Sequence, residues 1–138
     1  MSNEQKVMSN VWESNILLVK ADQLAHLVFE VTRSFPRSEL YGLVSQLRRA
    51  ALSVPLNVIE GYSRFKVKTH IQFLEIAFGS LKETHYLIEF CHKERYIRAN
   101  DHRKLLGLSE EVEKMLFAKI RTLKKRNDKR NDRSSMIQ

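Results

Sequence analysis

The chain has 138 residues, of which 43% are apolar, enough for one domain with a hydrophobic core and short for two. Four Gly and two Pro argue against a loop-rich or all-β fold, and a single Cys excludes an internal disulfide framework and suits a reducing compartment. No signal pattern opens the chain, and the apolar run Ile16–Val19 is too short to span a membrane. We therefore expect a soluble cytoplasmic protein without a membrane partner.

The net charge of +8 is unevenly distributed along the chain. Eight Lys and Arg residues against two Asp residues give residues 119–138 a charge of +6, which leaves +2 for residues 1–118. A basic tail attracts polyphosphates and acidic surfaces, but it also occurs as a solvated helix end that only keeps a protein soluble. Nucleic-acid contact and plain solubility are therefore both open interpretations of this charge.

Helical spacing of apolar residues predicts a first helix over about residues 15–34, which ends before Pro36 because the residue preceding a proline avoids helical backbone. A second helix is predicted over about residues 38–62, with Ser38 as its N-cap. It contains Pro55, which removes the hydrogen bond to the carbonyl of Ala51. Because the spacing stays helical on both sides of the proline, we expect one kinked helix rather than two.

The second helix sorts into three faces at about 100° per residue. A core stripe consists of Leu43, Leu47, Ala51, Val54 and Val58. A polar stripe consists of Gln46, Arg49, Ser53, Asn57 and Glu60. An outer stripe, again apolar, consists of Leu52, Leu56 and Ile59. Since a bundle helix normally has one apolar face, two apolar faces indicate two partners, and we expect the polar and outer stripes with Pro55 to form a subunit interface or structural motif.

The polar stripe has two interpretations. Ser53 and Asn57 can bond carbonyls that Pro55 leaves free, or the stripe can hold a ligand. Buried polar groups must be paired, and a subunit contact together with the proline kink would pair them. The structural interpretation is therefore favoured over a ligand site.

A basic loop over residues 63–68 precedes a third helix predicted over about residues 69–93. Gly79 lies in the middle of that helix, where glycine costs about 1 kcal/mol relative to alanine, so we expect a close helix approach there. Residues 94–98 form a turn, and Asn100 or Asp101 caps the fourth helix.

Core spacing in the fourth helix ends at Leu123. Four helices with short connections predict an all-α, antiparallel up-down-up-down four-helix bundle over residues 11–123, with a kinked second helix. Residues 1–10 are expected to be a flexible N-terminus, and residues 124–138 a basic, disordered tail.

Cations outside the polar stripe are the candidate nucleic-acid contacts. They are Arg48, Arg64, Lys66, Lys68, Lys124, Lys125, Arg126, Lys129, Arg130 and Arg133. No aromatic residue follows Leu123, so base stacking by the tail is not expected.

Enzyme chemistry and metal binding find little support in the residue pattern. Glu89-x-x-His92 occurs once, whereas a carboxylate-bridged di-metal bundle needs this motif on two helices. Cys91 has no neighbouring thiol and points about 100° away from His92 on a helix, so a buried thiol is expected rather than a nucleophile. Gly-rich phosphate loops and nucleophile elbows are absent from the sequence. We predict no catalytic residue, no metal site and no cofactor.

Two segments carry a specific resemblance to a known family. The first supplies Glu39, Tyr41, Gly42, Leu43, Gln46, Arg48, Arg49, Ala50, Ser53, Val54, Pro55, Asn57, Val58, Glu60 and Gly61. The second supplies Phe73, Leu74, Ile76, Ala77, Gly79, Ser80, Leu81 and Glu83. These residues resemble the four-helix-bundle family encoded in intervening sequences of bacterial large-subunit ribosomal RNA genes, over about residues 11–123. Ile59 stands where that family usually has alanine, and the tail is longer and more basic than expected.

The resemblance implies a ring of subunits, typically a pentamer, and no known enzymatic activity. A structural relative is the accessory protein of diversity-generating retroelements, which forms a basic pentameric barrel and binds RNA and a reverse transcriptase. This chain lacks a close match to that subgroup. We expect a non-catalytic, oligomeric accessory protein whose partners are itself, RNA or DNA and, in a ribonucleoprotein or retroelement complex, a reverse transcriptase. The alternative is a protein-interaction scaffold that binds no nucleic acid.

Overall fold

A computed structural model describes residues 15–137 of the chain. The regular secondary structure in this range consists of α1 (Ile16–Thr32), α2 (Ser45–Tyr62), α3 (Val67–Lys93) and α4 (Ala99–Ile137). A 3-10 turn at Arg37–Glu39 and a π-helical segment at Leu40–Val44 lead directly into α2. The predicted all-α fold with four helices is therefore confirmed. The expected flexible segment at residues 1–10 lies outside the described residues.

Consecutive helices run antiparallel, and each packs on two neighbours. Near the middle of α2, Ser53 contacts Ser80 of α3, whereas near the end of α2, Gly61 lies against His70 close to the start of α3. Helix α4 closes the bundle by packing on both α1 and α3. This is the up-down-up-down arrangement that the short connections predict.

The core stripe of α2 is confirmed as the inward face. Its residues from Leu47 to Val58 are at most 1% exposed, and Leu43 packs partly buried against the same core. The other three helices meet it with Leu24, Leu74 and Leu105, each fully buried. Burial of such a side chain contributes roughly 1.5–3 kcal/mol, so this shared core holds the four helices together.

The helix starts differ in detail from the predictions. Asn15 caps α1 by accepting a hydrogen bond at its Oδ1 from the Leu18 N–H, at 3.1 Å. Ser38 does not act as an N-cap, since it lies inside the 3-10 turn, where no side chain caps the first N–H groups. Asn100 and Asp101 lie in the first turn of α4 rather than at its cap, because that helix already begins at Ala99.

Helix α2 continues through Pro55 as one helix, as expected. The Asn57 amide Nδ2 donates to the Ser53 carbonyl at 2.7 Å and to the Ser53 hydroxyl at 3.0 Å. The acceptor is therefore the Ser53 carbonyl, not the Ala51 carbonyl that lacks its N–H partner because of the proline. The prediction that these two side chains bond carbonyls left free by the proline is therefore wrong, because Ser53 bonds Ser80 and Asn57 bonds Ser53 instead.

Gly79 is not a point of close helix approach. A Cβ built on Gly79 meets nothing within 4 Å, and the residue lies on the exposed face of α3. The close approach is instead at Gly61, where a Cβ would lie 2.9 Å from His70 Cδ2 and 3.3 Å from the His70 carbonyl oxygen. Gly61 is thus the glycine that lets α2 and α3 pack tightly.

Residues 124–137 differ from the expected disordered tail, because α4 continues through them to Ile137. Leu123 is the last buried residue of the core, so the predicted end of the core is correct. Beyond it the helix has no apolar face, and its continuation follows from the low cost of extending an existing helix and from the good helix propensity of Lys and Arg. We refer to residues 124–137 as the extension.

Candidate nucleic-acid interface

The connection between α2 and α3 lies at the same end of the bundle as the C-terminal half of α4. The Lys119 Nζ lies 5.5 Å from the centre of the Tyr62 ring, at the end of α2. The Lys124 Nζ lies 3.6 Å from a Glu75 carboxylate oxygen of α3. Loop and extension cations that are far apart in sequence therefore share one end of the molecule. This basic end consists of Arg64, Lys66, Lys68, Lys124, Lys125, Arg126, Lys129, Arg130 and Arg133.

The loop cations are exposed at this end. The Arg64 guanidinium lies 3.1 Å from a Glu60 carboxylate oxygen and 4.9 Å from the centre of the Phe73 ring. Exposed ion pairs of this kind contribute little, so the pair does not prevent Arg64 from meeting a phosphate. Lys66 and Lys68 are exposed and form no ion pair with any residue in the range 15–137.

Charge on the extension is sorted by helix face. At about 100° per residue, five of its cations fall within an arc of about 140°. They are Lys125, Arg126, Lys129, Arg130 and Arg133. Asp132 lies about 20° and Asp128 about 60° outside this arc, toward Lys124, which pairs with Glu75. The extension therefore presents one basic face, about 12 Å long from Lys125 to Arg133, opposite the side that contacts α3.

Arg48 does not join the other predicted nucleic-acid contacts. Its Nε donates to Thr32 Oγ1 at 2.9 Å, its Nη2 donates to the Phe29 carbonyl at 3.3 Å, and its guanidinium lies 4.6 Å from the centre of the Phe29 ring. A cation there also favours the C-terminal end of α1 through the helix dipole. Arg48 therefore braces α1 against α2 at the opposite end of the bundle, and the structure separates it from the basic end.

The residues of the polar stripe make two kinds of contact. In its middle, the Ser53 hydroxyl lies 2.7 Å from the Ser80 hydroxyl of α3 and also accepts from Asn57, so these half-buried groups are paired within the chain. At its C-terminal end, Glu60 is exposed and pairs with Arg64. The structural interpretation therefore holds for Ser53 and Asn57 without a second subunit.

A groove of about 520 Å³ lies between the start of α2 and the middle of α3. Its lining includes Tyr41, Gln46, Arg49, Ser80 and Glu83, all of which belong to the two segments that carry the family resemblance. The π-helical segment brings Tyr41 to this groove, where the side chain is 91% exposed. The groove therefore carries hydrogen-bonding side chains of opposite charge, Arg49 and Glu83. Sequence reasoning missed this convergence, because the residues lie on two helices and no spacing rule joins them.

The outer stripe is exposed. Leu52 is 40% exposed, Leu56 is 58% exposed and Ile59 is 38% exposed. These side chains have no role in the core of the chain itself, which matches the expectation of a second apolar face on α2.

Cys91 lies in an environment that does not suit a nucleophile. Cys91 is fully buried, and this burial, reinforced by Glu39 and Glu94, raises the pKa of its thiol to about 11. Its thiol is therefore protonated near neutral pH and unsuited to act as a nucleophile.

Glu89 and His92 both contact His102 rather than each other. Glu89 Oε1 lies 2.7 Å from His102 Nε2, and the hydrogen bond from His102 lowers the pKa of the Glu89 carboxyl group. His92 Nδ1 lies 3.0 Å from the Ile97 carbonyl oxygen, and its ring stacks on that of His102 at 3.8 Å. Across residues 15–137, no group of three or more His, Cys, Asp or Glu side chains is arranged to hold a metal ion.

None of the helices described between residues 15 and 137 is both long enough and apolar enough to cross a membrane.

Comparison with known proteins agrees with the resemblance seen in the sequence. The fold is similar to the crystal structure of a protein of unknown function from the S23 ribosomal protein family of Bacteroides thetaiotaomicron, with a TM-score of 0.71 and 22% identity over 78% of this chain and 96% of that chain. No curated protein matches the sequence. The model of the family described as 23S rRNA-intervening sequence protein matches residues 13–118, and the chain therefore belongs to this family.

Proposed function

We propose that this protein is a non-catalytic, oligomeric nucleic-acid-binding protein that contacts RNA, or DNA, through phosphates at its basic end. The observation that carries the proposal is the sorting of charge on the extension, where five cations share one face and both carboxylates lie outside it. Because a phosphate backbone binds best to a continuous cationic surface, this face suits phosphate contact better than a helix with its charges mixed on every side.

The second cationic group supports the same proposal. Lys66 and Lys68 are exposed at the same end of the bundle as the extension, so this end carries a second group of cations for phosphate contact. Phosphate contacts hold a nucleic acid in place without reading its sequence, and we expect weak sequence preference.

Self-association is the other part of the proposal. The outer stripe exposes three large apolar side chains on one side of α2, and the family resemblance implies a ring of subunits. Burial of each side chain would contribute roughly 1.5–3 kcal/mol, and a ring would repeat the basic end in every subunit, which raises avidity for a long strand. Light scattering should give several times the chain mass of 16.3 kDa, whereas a monomer at every concentration would contradict this part.

The direct test compares two triple variants that remove the same number of cations. Arg64→Gln/Lys66→Gln/Lys68→Gln neutralises the loop, and Lys93→Gln/Arg103→Gln/Lys104→Gln neutralises three exposed cations at the opposite end of the bundle. RNA binding at low salt should weaken severalfold in the first variant and stay near wild type in the second. Equal weakening would mean that only the overall charge matters, which would contradict a basic end.

The alternative function is a scaffold that binds proteins only. The exposed outer stripe favours it as much as it favours self-association. A protein that forms the oligomer but fails to bind RNA or DNA at about 50 mM salt would leave this function in place of ours. A connection with a reverse transcriptase stays a prediction from resemblance.

A further inference from the structure

We propose that Phe65 is a stacking platform for single-stranded nucleic acid, at the tip of the loop between α2 and α3. This inference rests on the proposed function and adds a second mode of contact to it. Phe65 is 102% exposed, so its ring packs against nothing in the described chain. The next most exposed aromatic side chain, Tyr41 at 91%, lies at the opposite end of the bundle, and Tyr86, at 66%, lies near Phe90.

The immediate neighbours of Phe65 suit a nucleic-acid strand. Arg64 and Lys66 flank it in sequence, and Lys68 follows in the first turn of α3. An exposed ring between cations can stack on a base while the cations meet the phosphates on either side, which is how sequence-tolerant single-strand sites work. The extension has no aromatic residue and can supply only phosphate contacts, so we assign the base contact at this end to the loop.

A membrane surface is the competing partner for an aromatic side chain among cations. Membrane-bound helices need a broad apolar face next to the basic one. The extension lacks such a face, since Met136 is the only large apolar side chain described beyond Leu123. One phenylalanine with a purely polar basic helix beside it therefore fits a nucleic acid better than a bilayer.

Two substitutions separate stacking from charge. Phe65→Ala should weaken binding to a single-stranded uridine oligonucleotide by about 5- to 100-fold and leave the salt dependence unchanged, because the cations remain. Binding to an RNA duplex of equal length should stay near wild type, because paired bases offer no free face. Phe65→Tyr should keep the single-strand affinity, and Tyr86→Ala, on the far part of α3, serves as the control.

A fluorescence experiment reports the contact itself. Phe65→Trp in a Trp12→Phe background should lose emission when the uridine oligonucleotide is added, whereas Tyr86→Trp in the same background should not. Anionic vesicles should leave both spectra unchanged, and a blue shift at position 65 on vesicles without quenching by the oligonucleotide would assign the ring to a membrane and overturn the proposal.

The result separates this inference from the function on which it rests. If wild type binds the oligonucleotide and Phe65→Ala binds it equally well, stacking is wrong while phosphate binding stands. If wild type binds neither single strand nor duplex at about 50 mM salt, both are wrong.

Discussion

The bundle and the extension are both helical, but different interactions stabilise them. In the bundle, Leu24, Leu47, Leu74 and Leu105 are at most 1% exposed, and every helix packs on two others. In the extension, the side chains of residues 124–136 are exposed, except that of Asn127, which is partly buried. Tertiary packing therefore stabilises the bundle, whereas the extension depends on its own helix propensity and on its attachment to α4.

This difference separates the residues that determine stability from those proposed to act in binding. Packing in the bundle determines the fold, while the extension and the loop beside it carry the charge proposed to bind nucleic acid. Variants in the bundle should therefore change stability and leave the salt dependence of binding alone, and variants at the basic end should do the reverse.

The largest effect is expected from two leucines on opposite faces of α2. Leu47→Ala should lower the free energy of unfolding by about 2–5 kcal/mol, because it leaves a cavity in the core. Leu56→Ala, at a side chain 58% exposed, should change the stability of the subunit by at most about 0.5 kcal/mol and reduce the oligomer mass instead. Chemical denaturation measures the stability of both variants, and light scattering measures their oligomer mass. Equal destabilisation would contradict the distinction between the core stripe and the outer stripe.

The hydrogen bonds beside Pro55 come next in size. Ser53→Ala and Asn57→Ala should each lower stability by about 1–3 kcal/mol, since each removes hydrogen bonds between half-buried polar groups. Gln46→Ala, on the same polar stripe but exposed, is the matched control and should be nearly neutral. If Ser53→Ala and Asn57→Ala are as neutral as the control in urea denaturation, these bonds do not support the helix.

Two glycines should respond in opposite directions. Gly61→Ala should destabilise the bundle by about 1 kcal/mol, because its Cβ would meet His70 at 2.9 Å. Gly79→Ala should stabilise α3 by about 0.5–1 kcal/mol, because nothing lies within 4 Å of the new Cβ and alanine favours a helix. Thermal unfolding of the two variants side by side checks the signs, and a loss of stability in Gly79→Ala would contradict the open space at that position.

The smallest effect on stability concerns pH. Burial, together with the nearby charge of Lys119, lowers the pKa of the His70 side chain. The unfolded chain therefore binds a proton more readily than the folded one, so this residue favours folding above its unfolded pKa of about 6.5 and the contribution is lost as pH falls below it. His70→Gln should reduce the loss of stability between about pH 7 and pH 5 in denaturant titrations, and an unchanged pH profile would contradict this assignment.

The helices and the core were predictable from the sequence because burial repeats at the helical period, which Leu47, Val54 and Val58 follow. Prediction failed where a contact depends on how two helices cross. The hydrogen bond from Arg48 to the Phe29 carbonyl and the open space at Gly79 depend on such crossings. Neither can be inferred from the sequence of the helix to which the residue belongs.

The candidate interface was predictable only in part. Lys66 and Lys125 stand out as cations in the sequence, but their position at the same end of the bundle follows from the antiparallel order of the helices. Phe65 does not stand out in the sequence, because an aromatic residue next to a helix start is usually buried, and only the structure shows it fully exposed.

The central claim is that phosphate contacts at the basic end bind nucleic acid, and a salt titration tests it most directly. Affinity for single-stranded RNA is measured from about 50 to 200 mM salt for wild type and for a chain truncated after Leu123, with the oligomer mass checked for both. We expect a steep fall of wild-type affinity with salt, and a log–log slope that is shallower in the truncated protein by about 0.7 for each phosphate that the extension neutralises, with the oligomer intact. An unchanged slope after truncation, or no binding at about 50 mM salt, would contradict the claim.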